Sequence, residues 1–169
     1  MTAIWFCSDL HIHHGMVAGL RGFADVDDHD AAVAANWDRL VRPGIKHLVS
    51  GNHDETHPMR SRAHKRMRRW LDVFETVQSV ATLRIAGQRV LLSHFPYRDD
   101  PDGDHAPESR HAEWRMPDTG QWLLHGHTHS HIQVRGRQIH VGLDAHQLRP
   151  VPLPWVADTI SKGHTHVRS

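Results

Sequence analysis

Histidine and acidic residues recur in four short clusters, each placed directly after an apolar run. The clusters are Asp9-Leu10-His11, Gly51-Asn52-His53-Asp54, Ser93-His94 and Gly126-His127-Thr128-His129. Carboxylate and imidazole groups are ligands suited to Mn²⁺, Fe²⁺ or Zn²⁺. His127 and His129 are two residues apart, so in an extended loop they share a face and can reach adjacent ions. Each cluster alone is a weak signal, but the four together favour a metal site.

The apolar runs that precede the clusters predict the elements that would position them. Residues 4–7, 47–49, 90–92 and 122–124 are short and apolar and end at Gly, Asn, Asp or His, which is typical of buried strands that open into loops. In open α/β sheets, ligands bind where the carboxyl ends of the strands meet the loops. We therefore predict an α/β fold with the metal site at the strand C-terminal ends.

The remaining pattern predicts one domain over residues 1–161 and a flexible tail over 162–169. Helices are expected from a cap at Asp27, Asp28 or Asp30 to about Val41, over 60–74, and over 154–160. The first would bury Ala31, Ala34, Ala35, Trp37, Leu40 and Val41, and the second Met67, Trp70, Leu71 and Phe74. Further strands are expected at 82–85 and 89–92, which form a hairpin, and at 121–124, 133–134 and 139–141. Residues 96–120 are expected to form a long functional loop.

Composition narrows the function classes. The chain has 169 residues, and its 20 Lys and Arg nearly balance 19 Asp and Glu, so no overall field favours nucleic acid or membrane. The single Cys7 excludes an internal disulfide and is expected to be a small buried side chain rather than a nucleophile. Neither a leader nor a membrane-spanning stretch is evident, which predicts a soluble cytoplasmic protein.

The clusters, in this order, resemble those of the calcineurin-like metallophosphoesterases, in particular the small single-domain branch of phages and bacteria. The resemblance also draws on Asn36-Trp37, Phe95-Pro96 and Val141-Gly142-Leu143-Asp144-Ala145, and it spans residues 4 to about 153. It implies a two-layered β-sandwich flanked by helices. It also implies a site for two divalent cations. Mn²⁺ is the expected metal, and Fe, Zn and Ni are the alternatives.

Carried over by position, the resemblance assigns a role to each residue of the clusters. The first metal would be bound by Asp9, His11 and His129, and the second by Asn52, His94 and His127. His53 would be the catalytic acid or transition-state stabiliser, Asp54 its supporting partner, and His14 a further active-site histidine. His13 and His125 are expected to be neighbours rather than ligands.

The implied reaction is hydrolysis of a phosphate ester by metal-activated hydroxide. The expected substrate is a phosphodiester in a nucleotide or cyclic nucleotide, with a 2′,3′-cyclic nucleotide as the specific prediction. Arg98, His105, Arg110 and His111 of the long loop are expected to help select it.

One family motif is missing from the chain. The family places a Gly-Asp block, whose aspartate bridges both metals, between the first helix and Gly51-Asn52-His53. Here Leu40-Val41-Arg42-Pro43 leads directly into Gly44-Ile45-Lys46-His47. We hypothesise that residues are missing between Pro43 and Gly44. An ordinary peptide bond there would instead indicate an altered centre that holds one ion.

Other interpretations stay open. The missing aspartate favours a non-catalytic, metal-poor scaffold of the same fold that binds partner proteins, whereas the retention of His53 argues against it. The basic segment from Arg60 to Arg69 predicts either a solvated face or a weak nucleic-acid contact. A second Gly-His-Thr-His sequence at 163–166 is interpreted either as part of the flexible tail or as a segment that sequesters metal. An amidohydrolase barrel needs about 250 residues, so the chain is too short for one.

Overall fold

The computed structural model describes residues 4–41, 47–72, 74–100 and 110–165. Within these ranges the chain is a mixed α/β protein, as predicted. Its helices are α1 (Gly15–Leu20), α2 (Val26–Leu40), α3 (Ala63–Trp70) and α4 (Leu153–Thr165). Its strands are β1 (Trp5–Phe6), β2 (His47–Val49), β3 (Thr76–Gln78), β4 (Val80–Ile85), β5 (Gln88–Ser93), β6 (Trp122–His125), β7 (Val134–Arg135), β8 (Gln138–His140) and β9 (Val151–Pro152). The hypothesised break between Pro43 and Gly44 lies outside the described residues.

A five-stranded sheet forms the centre of the fold, in the order β4-β5-β6-β8-β7. Strands β5, β6 and β8 run parallel, and β4 and β7 are antiparallel edge strands. Strand β2 pairs in parallel with β3, and β1 pairs with β9. The Ser8 amide donates to the Val141 carbonyl at 3.1 Å, which joins the end of β1 to the end of β8. The carboxyl ends of β1, β5, β6 and β8 therefore lie close together.

The hydrophobic core lies between this sheet and α4. Strand β6 is buried along its whole length, as a central parallel strand should be. Its Leu124 packs in one cluster with Val90 and Ile139 of the neighbouring strands and with Val156 and Ile160 of α4. This packing fixes the strand ends on which the candidate site is built.

The boundaries of α2 and α3 differ from the prediction. Helix α2 begins at Val26 because Asp25 is extended and its carboxylate accepts a hydrogen bond from the Asp27 amide, so the predicted caps at Asp27, Asp28 and Asp30 are wrong. Its buried side is formed by His29 and Val33, and the predicted core residues Ala31, Ala34 and Ala35 are exposed.

Helix α3 is shorter than the predicted 60–74. It begins at Ala63 because Arg62 adopts a left-handed conformation with φ 64° that cannot continue a helix. It ends at Trp70, so Leu71 lies beyond it and is 49% exposed instead of belonging to the core.

Most strand predictions are confirmed to within one or two residues. The β4–β5 hairpin turns at Ala86-Gly87, both with positive φ, as a two-residue turn requires. Helix α4 extends to Thr165, into the segment predicted as tail, and Gly163 packs against the Trp122 ring. Residues 166–169 lie outside the described residues. Among the described residues, no helix is long and apolar enough to cross a membrane.

Candidate metal centre

The loops that follow β1 and β6 are bound to each other through Asp9. The His127 amide donates to Asp9 Oδ2 at 2.9 Å. Asp9, His11, His127 and His129 all have positive φ, between 50° and 71°. Non-glycine residues in this region cost about 1 kcal/mol or more each and concentrate at functional sites. Backbone strain is thus found in two of the four loops where the sequence predicts ligands.

The predicted ligands of the first metal, Asp9, His11 and His129, lie together and make up the first ligand group. One ligand atom from each lies within 4.8 Å of the others. His11 Nε2 and His129 Nε2 are 3.1 Å apart, and Asp9 Oδ1 is 3.8 Å from His11 Nε2. Two imidazole nitrogens bound at 2.0–2.1 Å to one cation are roughly 3 Å apart. The spacing therefore fits a shared cation.

The burial of this group gives a second test of the fit. The side chains of Asp9 and His11 are 1% and 3% exposed. Asp9 Oδ1 and His11 Nδ1 are buried without a hydrogen-bond partner. Burial alone would raise the pKa of the Asp9 carboxyl, but the nearby imidazoles of His94, His11 and His129 hold it well below its usual range. An ionised carboxylate among imidazoles is a donor set that suits a divalent cation.

The predicted ligands of the second metal, Asn52, His94 and His127, also lie together and make up the second ligand group, next to the first. Asn52 Oδ1 lies 2.7 Å from His94 Nε2 and 3.3 Å from His127 Nδ1. His94 Nδ1 is 3.8 Å from Asp9 Oδ1, so the two groups adjoin. Burial lowers the pKa of His94 to about 4 and that of His127 to about 2. Both rings are therefore neutral near pH 7, the state in which imidazole binds metal.

His14 and His53 lie at the mouth of the first group. The His53 ring centroid is 4.8 Å from that of His11 and 5.4 Å from that of His14. His53 is exposed, yet desolvation and the charges of His11, His14 and Arg60 lower its pKa to about 4. His14 Nδ1 accepts from the Val17 amide and caps α1. His11, His14 and His53 also lie close enough to hold a cation among themselves.

Asp54 supports the loop rather than the His53 ring. Its Oδ2 accepts a hydrogen bond from the Gly51 amide at 2.7 Å, and its own amide donates to the Gly51 carbonyl at 2.9 Å. The carboxylate thus closes the turn that presents Asn52 and His53.

Three glycines leave space for the ligands. A Cβ at Gly51 would collide with the His94 ring, and one at Gly126 would collide with Ser8 and the Asp9 carboxylate. A Cβ at Gly142 would lie 2.6 Å from His140 Nε2 and 2.8 Å from Asp9 Oδ2. Gly51 is not among the glycines of positive φ, so its backbone conformation does not itself require glycine. Its role is the close approach of His94.

Asp144 and Arg21 complete the site, and sequence reasoning gave neither of them a role. Asp144 Oδ2 is 3.0 Å from His129 Nδ1, and Arg21 binds both carboxylate oxygens, at 2.9 and 2.8 Å. Burial alone would raise the pKa of Asp144, but Arg21 and His129 hold it well below its usual range. A carboxylate on Nδ1 orients a metal-binding imidazole and leaves Nε2 for the metal. Asp144 follows the end of β8, so the strand-end rule could have found it.

The other predicted neighbours lie around the groups. His13 Nδ1 is 3.1 Å from Asp30, and its side chain is 83% exposed. His125 Nδ1 lies 2.9 Å from the Gly126 carbonyl. From the long loop, the His111 ring is 5.5 Å from that of His127, while His105 lies outside the described residues. Burial raises the pKa of the Cys7 thiol to about 12, which makes it a poor nucleophile.

Fold and site together define a mixed α/β protein whose strand-end loops bring histidine and aspartate side chains within the spacing of metal ligands. The chain belongs to the family of the Gene 66 proteins of Mycobacterium phages L5 and D29. It is 41% identical to the L5 protein over 186 aligned positions, which cover 86% of this chain and 88% of the relative. It is 40% identical to the D29 protein over 190 aligned positions, which cover 89% of this chain and 93% of that relative. No protein-family model matches the chain.

Both alignments are longer than the 169 residues of the chain, so each relative contains residues that have no counterpart here. A solved structure is also similar, that of AQ665, a protein of unknown function from Aquifex aeolicus. It has a TM-score of 0.68 and 18% identity, and the match covers 94% of this chain and 100% of that one. At that identity the likeness shows the fold alone.

Proposed function

We propose that the protein is a metal-dependent phosphodiesterase of the calcineurin-like metallophosphoesterase class that acts on nucleotides. In this proposal the three sheets correspond to the β-sandwich of that class. One observation carries the proposal: four residues from loops far apart in sequence lie together. Asp9, Asn52, His94 and His127 are joined by contacts of 2.7 to 3.8 Å. The residue roles given from sequence remain predictions.

The donor set supports binding of divalent cations. Asp9, His11 and His129 would bind one, and Asn52, His94 and His127 a second, with Mn²⁺ as the first metal to try. Such cations supply Lewis acidity toward the phosphoryl oxygens and lower the pKa of a water that attacks phosphorus. The buried carboxylate and the neutral, buried imidazoles of this chain are suited to binding them.

His53 would act on the substrate itself. It is the exposed imidazole at the mouth of the site, and its lowered pKa leaves it neutral near pH 7. A neutral ring can donate its N–H to the phosphoryl or leaving oxygen as negative charge develops there. His14, beside it, would help to place the substrate.

A metal-poor scaffold that binds partner proteins is the second candidate, because the sequence has no Gly-Asp block between α2 and Gly51. The relatives contain residues that this chain lacks, which is compatible with the hypothesis that residues are missing between Pro43 and Gly44. The two candidates differ in whether the protein hydrolyses a phosphodiester.

A substrate screen tests the proposal. The purified protein is incubated with Mn²⁺ and bis-(p-nitrophenyl) phosphate, 2′,3′-cyclic nucleotides, 3′,5′-cyclic nucleotides and nucleoside monophosphates. We expect hydrolysis of phosphodiesters, lost on chelation and restored by Mn²⁺. The matched control is Asp9→Asn, which keeps the shape of the side chain but removes its charge. Equal rates for the wild type and Asp9→Asn would contradict the proposal and favour the scaffold.

A further inference from the structure

A set of exposed cations covers the surface that follows the His53 loop. This basic face consists of Arg60, Arg62, Lys65, Arg66 and Arg68, all exposed. Lys65 and Arg68 are three residues apart in α3, so their side chains project from the same side of the helix. The buried Ala63 and the half-buried Met67, four residues apart, share another side of the helix. The whole chain has a net charge of only +1, so this face is a local concentration of charge.

Consecutive turns join the basic face to the candidate site. The His57 amide donates to the Asp54 carbonyl, the Arg60 amide to the His57 carbonyl, and the Ala63 amide to the Arg60 carbonyl, at 2.8–3.2 Å. The chain from His53 to α3 is thus a compact series of turns. The basic face therefore borders the mouth of the site.

The charge of this face is weakly neutralised by the described residues. Among the described residues, the basic face has one ion pair, between Arg66 and Glu55 at 3.7 Å. The two side chains are 51% and 33% exposed. Exposed pairs of this kind contribute little. Lys65, Arg66 and Arg68 lie on α3, a helix of eight residues about 12 Å long, and the other two cations lie on the turns just before it. One strand of a nucleic acid places a phosphate about every 3.4 Å along such a length. The face matches several successive phosphates better than a single small anion.

We propose that the basic face binds the sugar–phosphate backbone of a nucleic acid and directs it to the His53 site, so that the substrate class is a polynucleotide phosphodiester. This rests on the proposed function, which it deepens. Phosphate contacts carry no sequence information by themselves, and the half-buried Trp70 lies on the side of Ala63. The binding is therefore independent of sequence and sensitive to salt.

Two charge-matched double variants test the inference. Arg62→Gln with Lys65→Gln removes two cations from the basic face. Arg84→Gln with Arg89→Gln removes two exposed cations from the β4–β5 hairpin, at the end of β5 opposite to His94. Binding of a fluorescently labelled 20-nucleotide single strand is measured by anisotropy against KCl concentration. The logarithm of the binding constant falls as the logarithm of the salt concentration rises. We expect this fall to be less steep in the face variant, with a slope smaller in magnitude by roughly 1.4, at about 0.7 per lost phosphate contact. The hairpin variant should retain the wild-type slope.

Hydrolysis of bis-(p-nitrophenyl) phosphate, which does not reach α3, should be unchanged in both doubles. Equal slopes in the two doubles would overturn the inference and leave the proposed function standing. Displacement of the oligonucleotide by poly-glutamate at equal charge concentration would also overturn it, since the face would then bind acidic polymers in general. If the slopes are as predicted but the wild type hydrolyses no phosphodiester, the proposed function is contradicted instead.

Discussion

The guanidinium of Arg21 and the carboxylate of Asp144 form a two-pronged ion pair beneath the first ligand group. The side chains are 4% and 8% exposed. Arg21 also donates to the carbonyls of Asp9 and Leu10, at 2.7 and 3.3 Å, and Asp144 contacts His129 Nδ1. One buried pair thus supports both loops that carry this group, and it stabilises the left-handed backbone of Asp9.

Replacing Arg21 with Lys should weaken metal binding. A lysine keeps the charge but has no planar fork, so it cannot bind both Asp144 oxygens and two carbonyls at once. Loss of such supporting contacts typically lowers metal affinity by about 10- to 100-fold. Titration calorimetry with Mn²⁺ on the metal-free protein measures this. Arg39→Lys is the matched control, because Arg39 is exposed and bonds only Asn36 among the described contacts. Equal affinities of the two variants would contradict the supporting role.

His53→Ala and His127→Ala should separate catalysis from metal binding. His53 lies at the mouth of the site, so its loss should lower turnover about 100-fold or more and leave metal content near that of the wild type. His127 is a predicted ligand within the second group, so its loss should lower metal content as well. Metal per chain is measured by elemental analysis, and turnover with bis-(p-nitrophenyl) phosphate. If both variants lose metal equally, the division of roles is wrong.

Gly126→Ala should disrupt the site, since the added methyl would collide with Ser8 and the Asp9 carboxylate. We expect lower metal affinity and a lower unfolding midpoint. Gly19→Ala is the control, because nothing lies within 4 Å of a Cβ built at Gly19 in α1. That exchange should stabilise the protein by up to about 1 kcal/mol, as helix propensity predicts. Two variants that unfold alike in thermal melts would refute the steric role of Gly126.

The metal-free protein should lose stability as the pH falls below about 6.5. Burial lowers the folded-state pKa of His94 to about 4, of His125 to about 3 and of His127 to about 2. Between those values and the unfolded value of about 6.5, the unfolded chain binds protons that the folded chain does not. Each group can remove up to about 1.4 kcal/mol per pH unit in that window.

His129 opposes this trend, since its contact with Asp144 outweighs burial and raises its pKa, but the lowered pKa values of His94, His125 and His127 together outweigh its contribution. Urea unfolding in the presence of a chelator, from pH 7.5 to 4.5, measures the net effect. An unfolding free energy that is constant or rises toward pH 4.5 would contradict this reading of the buried histidines.

The sequence predicted the placement of the four polar clusters at strand ends well, because short apolar runs that end in polar residues are typical of buried strands that open into loops. The loops after β1, β2, β5 and β6 each contain the expected cluster, and the structure brings the clusters together. Helix limits were predicted less well. The left-handed conformation of Arg62 and the cap at Asp25 depend on local backbone geometry, which residue type does not specify.

Long-range partners were the other gap. Arg21 and Asp144 are 123 residues apart. Their pairing follows from how β1 and β8 meet at Ser8 and Gly142, which no periodicity encodes. The same holds for the crowding at Gly51 and Gly126, where the demand for glycine comes from a distant side chain rather than from the turn itself.

The most direct test of the central claim is a crystal structure of the protein grown with Mn²⁺, with anomalous diffraction data collected at the manganese edge. We predict an anomalous peak bounded by Asp9, His11 and His129, and a second bounded by Asn52, His94 and His127. The absence of any peak at these six residues in well-ordered crystals at millimolar Mn²⁺ would contradict the metal centre, and the proposed function with it.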